Sequence, residues 1–95
     1  MAGRRHGKLP EGLGFARETR QFAADDVPSG LLATHRVAEG VWGLLRVHAG
    51  PVRYVDEATG APLDLDAGDE QVIPPGVPHH VEPGPGSRLS VSFYR

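Results

Sequence analysis

The chain has no cysteine, which excludes disulfide staples, thiolate metal sites and thiol nucleophiles together. It has no surplus of charge either. Ten Lys and Arg stand against twelve Asp and Glu, a formal net charge of -2, so no broad positive field exists to grip a phosphate backbone and nucleic acid is not an expected partner. Nowhere does it carry the roughly 18 consecutive apolar residues that a membrane-spanning helix needs. The basic opening MAGRRHGK runs into LPEGLGFARE, where a secretory leader would place about 7–15 apolar residues. The expectation is a soluble, cytoplasmic protein with no membrane partner. Also missing are a G-x-S-x-G elbow, a phosphate loop and a dinucleotide-binding glycine fingerprint. Ser29, Ser87, Ser90 and Ser92 have no matching base motif, so nucleophilic hydrolysis has no support.

Glycine and proline, by contrast, are plentiful: thirteen and nine among 95 residues. They cut the chain into pieces too short for a long amphipathic helix, and short strands are the alternative. LDLD at 63–66 and RLSVSFYR at 88–95 alternate apolar with polar at period two, which predicts half-buried strands with Leu89, Val91 and Phe93 facing a core. The central stretch predicts three strands, Val41–Ala49, Val52–Asp56 and Pro62–Asp66, arranged as a meander with turns at Gly50-Pro51 and Glu57–Gly60. EQVI before Pro74 and HHVE before Pro83 supply two more. FARETRQF and LLATH read as further strands, with AADDVPSG as a turn or short helical piece between them. Residues 1–8 read as a mobile tail and residues 9–95 as one domain. The fold expected is all-β, a single-domain jelly-roll or small β-barrel. A core this small gains from closing its sheet or from pairing with a second copy, so a homodimer is also expected.

The stretch GDEQVIPPGVPHH at 68–80 holds Gly68, Pro74, Gly76 and His79 in the spacing G-x5-P-x-G-x2-H. Gly68 permits the turn into a strand, Pro74 stiffens the exit, and Gly76 is free to take a positive φ that a side chain resists. His79 is thereby presented by a pre-ordered turn and loses little rotamer freedom on binding a ligand. The spacing matches the second motif of the cupin family. The first cupin motif is degraded: Gly43 stands where a glutamate is usual, and only His35 remains of two histidines.

A second resemblance covers nearly the whole chain from Lys8 onward. KLPEGL at 8–13, VP at 27–28, His35, GVWG at 40–43, RY at 53–54, PHHVEP at 78–83 and the closing FYR resemble a family of small cupin-like bacterial proteins related to tellurite resistance, found alone or fused ahead of a methyltransferase. This chain has no room for the methyltransferase, and that activity is not carried over. The resemblance implies a polar set of His35, His79 and Glu82. Two imidazoles and a carboxylate suit a divalent metal, zinc first and iron as the alternative, with positions left open for a small polar molecule or oxyanion. On a regular strand His79 and Glu82 would point to opposite faces, unless His79 sits in the turn or a bulge intervenes; His80, which shares a face with Glu82, is the reserve ligand. The functional expectation is a metal-binding module serving stress or metalloid tolerance. The alternative is a metal-dependent enzyme, an Fe²⁺ oxygenase or an isomerase, for which no general acid or base can be named.

Other residues receive plainer readings. His48 alternates with Trp42, Leu44 and Arg46 and belongs to an outer face, while His6 lies in the tail. Trp42 and Tyr54 read as packing residues. Gly43, if it points inward, either leaves room beside the metal or packs against a bulky neighbour. Asp25, Asp26, Asp64, Asp66, Asp69 and Glu70 read as turn and outer-face charges.

Overall fold

The computed structural model describes residues 3–29 and 38–95. Among these, nine strands form: β1 Arg5–His6, β2 Phe15–Glu18, β3 Phe22–Ala23, β4 Trp42–Ala49, β5 Val52–Asp56, β6 Ala61–Leu65, β7 Glu70–Ile73, β8 His79–Pro83 and β9 Arg88–Tyr94. They make two sheets. One is six-stranded in the order β1-β7-β4-β9-β2, with β3 also on β9; the other is three-stranded in the order β6-β5-β8. All pairings are antiparallel except the two-residue parallel contact of β1 with β7.

Period-two alternation decides which side chains meet between the sheets. Leu45 and Val47 from β4, Ile73 from β7, and Leu89 and Val91 from β9 pack against Val52 and Tyr54 from β5, Leu65 from β6 and Val81 from β8. Phe93 packs against this cluster, so the inward face expected for β9 is the observed one. At about 25 cal/mol per Å² of apolar surface, burial of this kind is the main force holding the two layers together.

The class is all-β and jelly-roll-like, but the sheets do not close into a barrel: among the described residues the ladders stay within each sheet. The reason lies in the connections. β4, β7 and β9 belong to one sheet and β5, β6 and β8 to the other, so the chain changes sheet at 50–51, 66–69, 74–78 and 84–87. The expected meander is therefore corrected. Only β5 and β6 form a hairpin, from Val52↔Leu65 to Asp56↔Ala61, while β4 and β5 part at the cis Gly50–Pro51 bond.

The stretch expected as a tail contains β1. Arg4 donates its backbone N–H to Asp69 at 3.0 Å, Glu70 N–H donates to the Arg4 carbonyl at 2.7 Å, and the Glu70 carboxylate pairs with both Arg5 and Arg46 at 2.9 Å. Because β1 and β2 flank opposite edges of the sheet, residues 7–14 must cross one of its faces, and Gly7 lies against Val72. Leu44, Val72, Ser90 and Ser92 are buried yet lie on the face turned away from the core, and Gly7 contributes to the cover over Val72. The expected strand LLATH and its His35 lie outside the described residues.

Candidate functional site around His79

β7 delivers the chain to the turn 74–78, and both motif glycines have the backbone that the sequence implies: Gly68 has φ +92° and Gly76 φ +75°, a region where a Cβ is strained. His79 is the first residue of β8 and pairs with Asp56 on β5. It therefore begins the strand with its side chain on the inner face. The ring is 0% exposed. Its Nδ1 lies 3.1 Å from the Val77 carbonyl, and since a carbonyl only accepts, Nδ1 carries the hydrogen. In the neutral ring the lone pair then resides on Nε2, the atom able to accept a hydrogen bond or ligate a metal.

One face of the imidazole is stacked on Tyr54, with ring centroids 5.6 Å apart and planes 23° from parallel. Tyr54 comes from the neighbouring strand, where it pairs with Val81. Burial pushes its phenol pKa up to about 12, with a smaller contribution from the charge of Asp56, so the hydroxyl stays protonated at neutral pH.

His80 points the other way. On the outer face of the three-stranded sheet its Nδ1 lies 2.6 Å from Glu57 Oε2 and its Nε2 2.8 Å from Glu82 Oε2. Hydrogen bonding to Glu82 and then to Glu57 raises its pKa above the ordinary histidine value. Glu82 in turn lies 4.0 Å from Arg53, whose Nε donates to Asp64 at 2.8 Å. Strands β8, β5 and β6 thus carry a row of alternating charges to solvent.

Of the expected set, His79 and Glu82 lie among the described residues, and the structure separates them. His79 is interior; Glu82, with its side chain 52% exposed, is on the opposite side of the same strand. No bulge intervenes in the β5–β8 register, so the alternation of a regular strand holds. His48 is exposed, as expected for an outer face, and its Nε2 lies 2.7 Å from Ser90 Oγ. Gly43 is buried, and a Cβ there would stand 3.2 Å from Ile73 Cβ. Its missing side chain makes way for Ile73 and not for a ligand. Among the described residues no group of three or more His, Asp or Glu is placed to hold a metal ion. Sequence reasoning did not connect Tyr54 with His79 or Glu57 with His80, because both contacts depend on the β5–β8 register.

Residues 17–90 match the family model of the TehB-like domain. The chain belongs to the TehB-like domain family. This TehB-like domain superposes on the crystal structure of a protein from Escherichia coli strain K12, determined by the Northeast Structural Genomics Consortium. The TM-score is 0.84 and the identity 22%, covering 93% of this chain and 95% of that one. It also superposes on TehB from Haemophilus influenzae with a TM-score of 0.80 and 20% identity, covering 88% of this chain but 32% of TehB. At these identities the likenesses show the fold. The TehB-like domain spans about a third of that longer protein. No curated protein matches the chain. Among the described residues no helix is long and apolar enough to cross a membrane.

Proposed function

We propose that this TehB-like domain is a metal-binding module built on the buried imidazole of His79, with His35 as its second imidazole. Zinc is the first metal to test and Fe²⁺ the second, since imidazole suits both. Two protein ligands leave positions for water and for a small polar molecule or oxyanion, in keeping with a cytoplasmic role in tellurite or stress tolerance. One observation carries the reading: His79 is fully buried and its Nδ1–H is held by the Val77 carbonyl. Metal-ligating histidines commonly donate the second ring N–H to a carbonyl in this way, which fixes tautomer and orientation. Glu82 does not fit the group, because it lies across the strand from His79. The plainer reading is a hydrogen-bonded histidine that fills the core.

Zinc and cobalt titration of the purified chain distinguishes the two. The expected result is about one metal per chain, lost in both His79→Ala and His35→Ala while the far-ultraviolet spectrum is kept. A wild-type chain that takes up no metal, or a His79→Ala variant that binds as wild type does, overturns the proposal. Oxygen uptake dependent on Fe²⁺ would turn the module into an enzyme. The small core also favours pairing with a second copy, which light scattering at micromolar concentration checks.

A further inference from the structure

We infer that residues 3–7 are a strap closing the edge of β7, and that this edge, once the strap is released, pairs with β7 of a second copy of the chain. Neither His79 nor a metal takes part. In the six-stranded sheet β7 has β4 on one side and, among the described residues, only the two-residue β1 on the other. Two other strand edges carry their own protection against pairing: β2 has a bulge between Phe15 and Arg17 with exposed charges at Arg17 and Glu18, and β6 has Pro62 and an exposed Asp64. β7 has no bulge in its ladder with β4, and residues 71–73 include neither proline nor charge. The strap supplies the protection instead. Glu70 N–H donates to the Arg4 carbonyl at 2.7 Å. Two residues on, Val72 faces the same edge, where its carbonyl accepts Gln71 Nε2 at 2.7 Å and Gly7 lies against its side chain.

The strap is lightly held. Its ion pair, Arg5 with Glu70, has side chains 44% and 23% exposed, and pairs so exposed contribute little. Its bond from Arg4 N–H to Asp69 is also at the surface. A terminal segment of this kind opens locally without unfolding the sheets. The released edge then admits one two-fold register. Antiparallel pairing centred on Glu70 would set two carboxylates opposite each other. Centred on Val72, it would set Glu70 against Pro74, which has no N–H to donate. Centred on Gln71, it sets Glu70 of each copy against Val72 of the other, with the edge-facing N–H and C=O groups of both matched, and Gln71 meets its symmetry mate. This self-complementary register makes a second copy the occupant.

The test uses changes confined to the strap. Gly3→Val forbids the close approach to Gly68, whose carbonyl a Cβ on Gly3 would overlap, and Arg4→Pro in the same chain removes the N–H given to Asp69. Amide exchange at Glu70 reports release, and light scattering reports mass. The expected result is a Glu70 amide that exchanges about tenfold faster than in wild type, together with twice the wild-type mass. The chain has no cysteine, so Gln71→Cys places a single thiol at the two-fold axis. Oxidation with diamide should cross-link two chains when the strap changes are present and not when the strap is intact. Fast exchange at wild-type mass overturns the inference, and so does a Glu70 amide that stays protected. Growth beyond the doubled mass, or cross-linking at 71 that ignores the strap, overturns it too. Should the double variant fail to fold, Arg5→Glu, which turns the pair with Glu70 into a repulsion, is judged by the same outcomes.

Discussion

His79 and His80 are adjacent in sequence and lie on opposite sides of one strand: the first is sealed between the sheets against Tyr54, the second stands outside between Glu57 and Glu82. Alternation at period two produces this separation without any special device. It also divides the polar residues of PHHVEP into an inner imidazole and an outer charged row.

The first prediction follows from that division. Glu82→Gln and His80→Gln remove charges from the outer row, where Glu82 is about half exposed, and neither side chain can reach the interior. Metal loading measured by elemental analysis should be unchanged in both variants, with stability altered by about 1 kcal/mol or less, as for exposed ion pairs. Loss of metal in Glu82→Gln would restore the carboxylate to the ligand set and require β8 to be distorted at His79.

Leu65 tests the two-layer core. It is 0% exposed at the end of β6 and packs in the cluster shared by both sheets. Leu65→Ala should cost about 2–5 kcal/mol, the range for emptying a buried leucine site. Leu63, two residues earlier and only partly buried, should cost less on truncation. Urea denaturation of the two variants checks the order, and equal losses would argue against the packing described.

Much of the fold was legible because glycine and proline punctuate runs of alternating residues. β5 and β7 begin and end where the pattern places them, and β4, β6, β8 and β9 differ by one residue at one or both ends. Which strands share a sheet was not legible. Nothing in GVWGLLRVHAGPVRYVD tells a hairpin from a chain that leaves one sheet for the other at Gly50–Pro51, since both need a turn at the same place. β1 escaped notice because two residues carry no periodicity, and its position depends on Asp69 and Glu70, more than sixty residues away. At the site, the spacing around Gly76 anticipated its positive φ and the turn leading into His79, whereas the placing of Glu82 turned on whether His79 ended the turn or began the strand. Pairing of His79 with Asp56 settles that it begins the strand.

Gly43 supplies a steric prediction. Its φ is not positive, so an added methyl group would meet no backbone penalty, only Ile73, whose Cβ and Cδ1 would lie 3.2 and 3.4 Å away. Overfilling a packed core by a carbon typically costs about 1–3 kcal/mol. Gly43→Ala should be destabilised within that range by chemical denaturation while His79 keeps its tautomer. A neutral or stabilised Gly43→Ala would show that free space exists beside Ile73.

Asp69 supplies the pH dependence. Its carboxylate accepts the backbone N–H groups of Arg4 at 3.0 Å and Asp66 at 2.9 Å, and these two bonds hold its pKa below the ordinary carboxylate value of 3.8. A folded-state pKa below the unfolded one means that the ionised form stabilises the fold: the contribution is complete above the ordinary value and disappears as pH falls through the lowered one. Asp69→Ala should therefore melt at a lower temperature than wild type at neutral pH. The gap should stay constant down to about pH 5 and close under stronger acid, where the wild-type carboxyl is protonated too. In the same variant the amide of Arg4 should exchange with solvent faster, because its acceptor is gone. A melting gap that widens with acid would reverse the sign and assign the stability to another group.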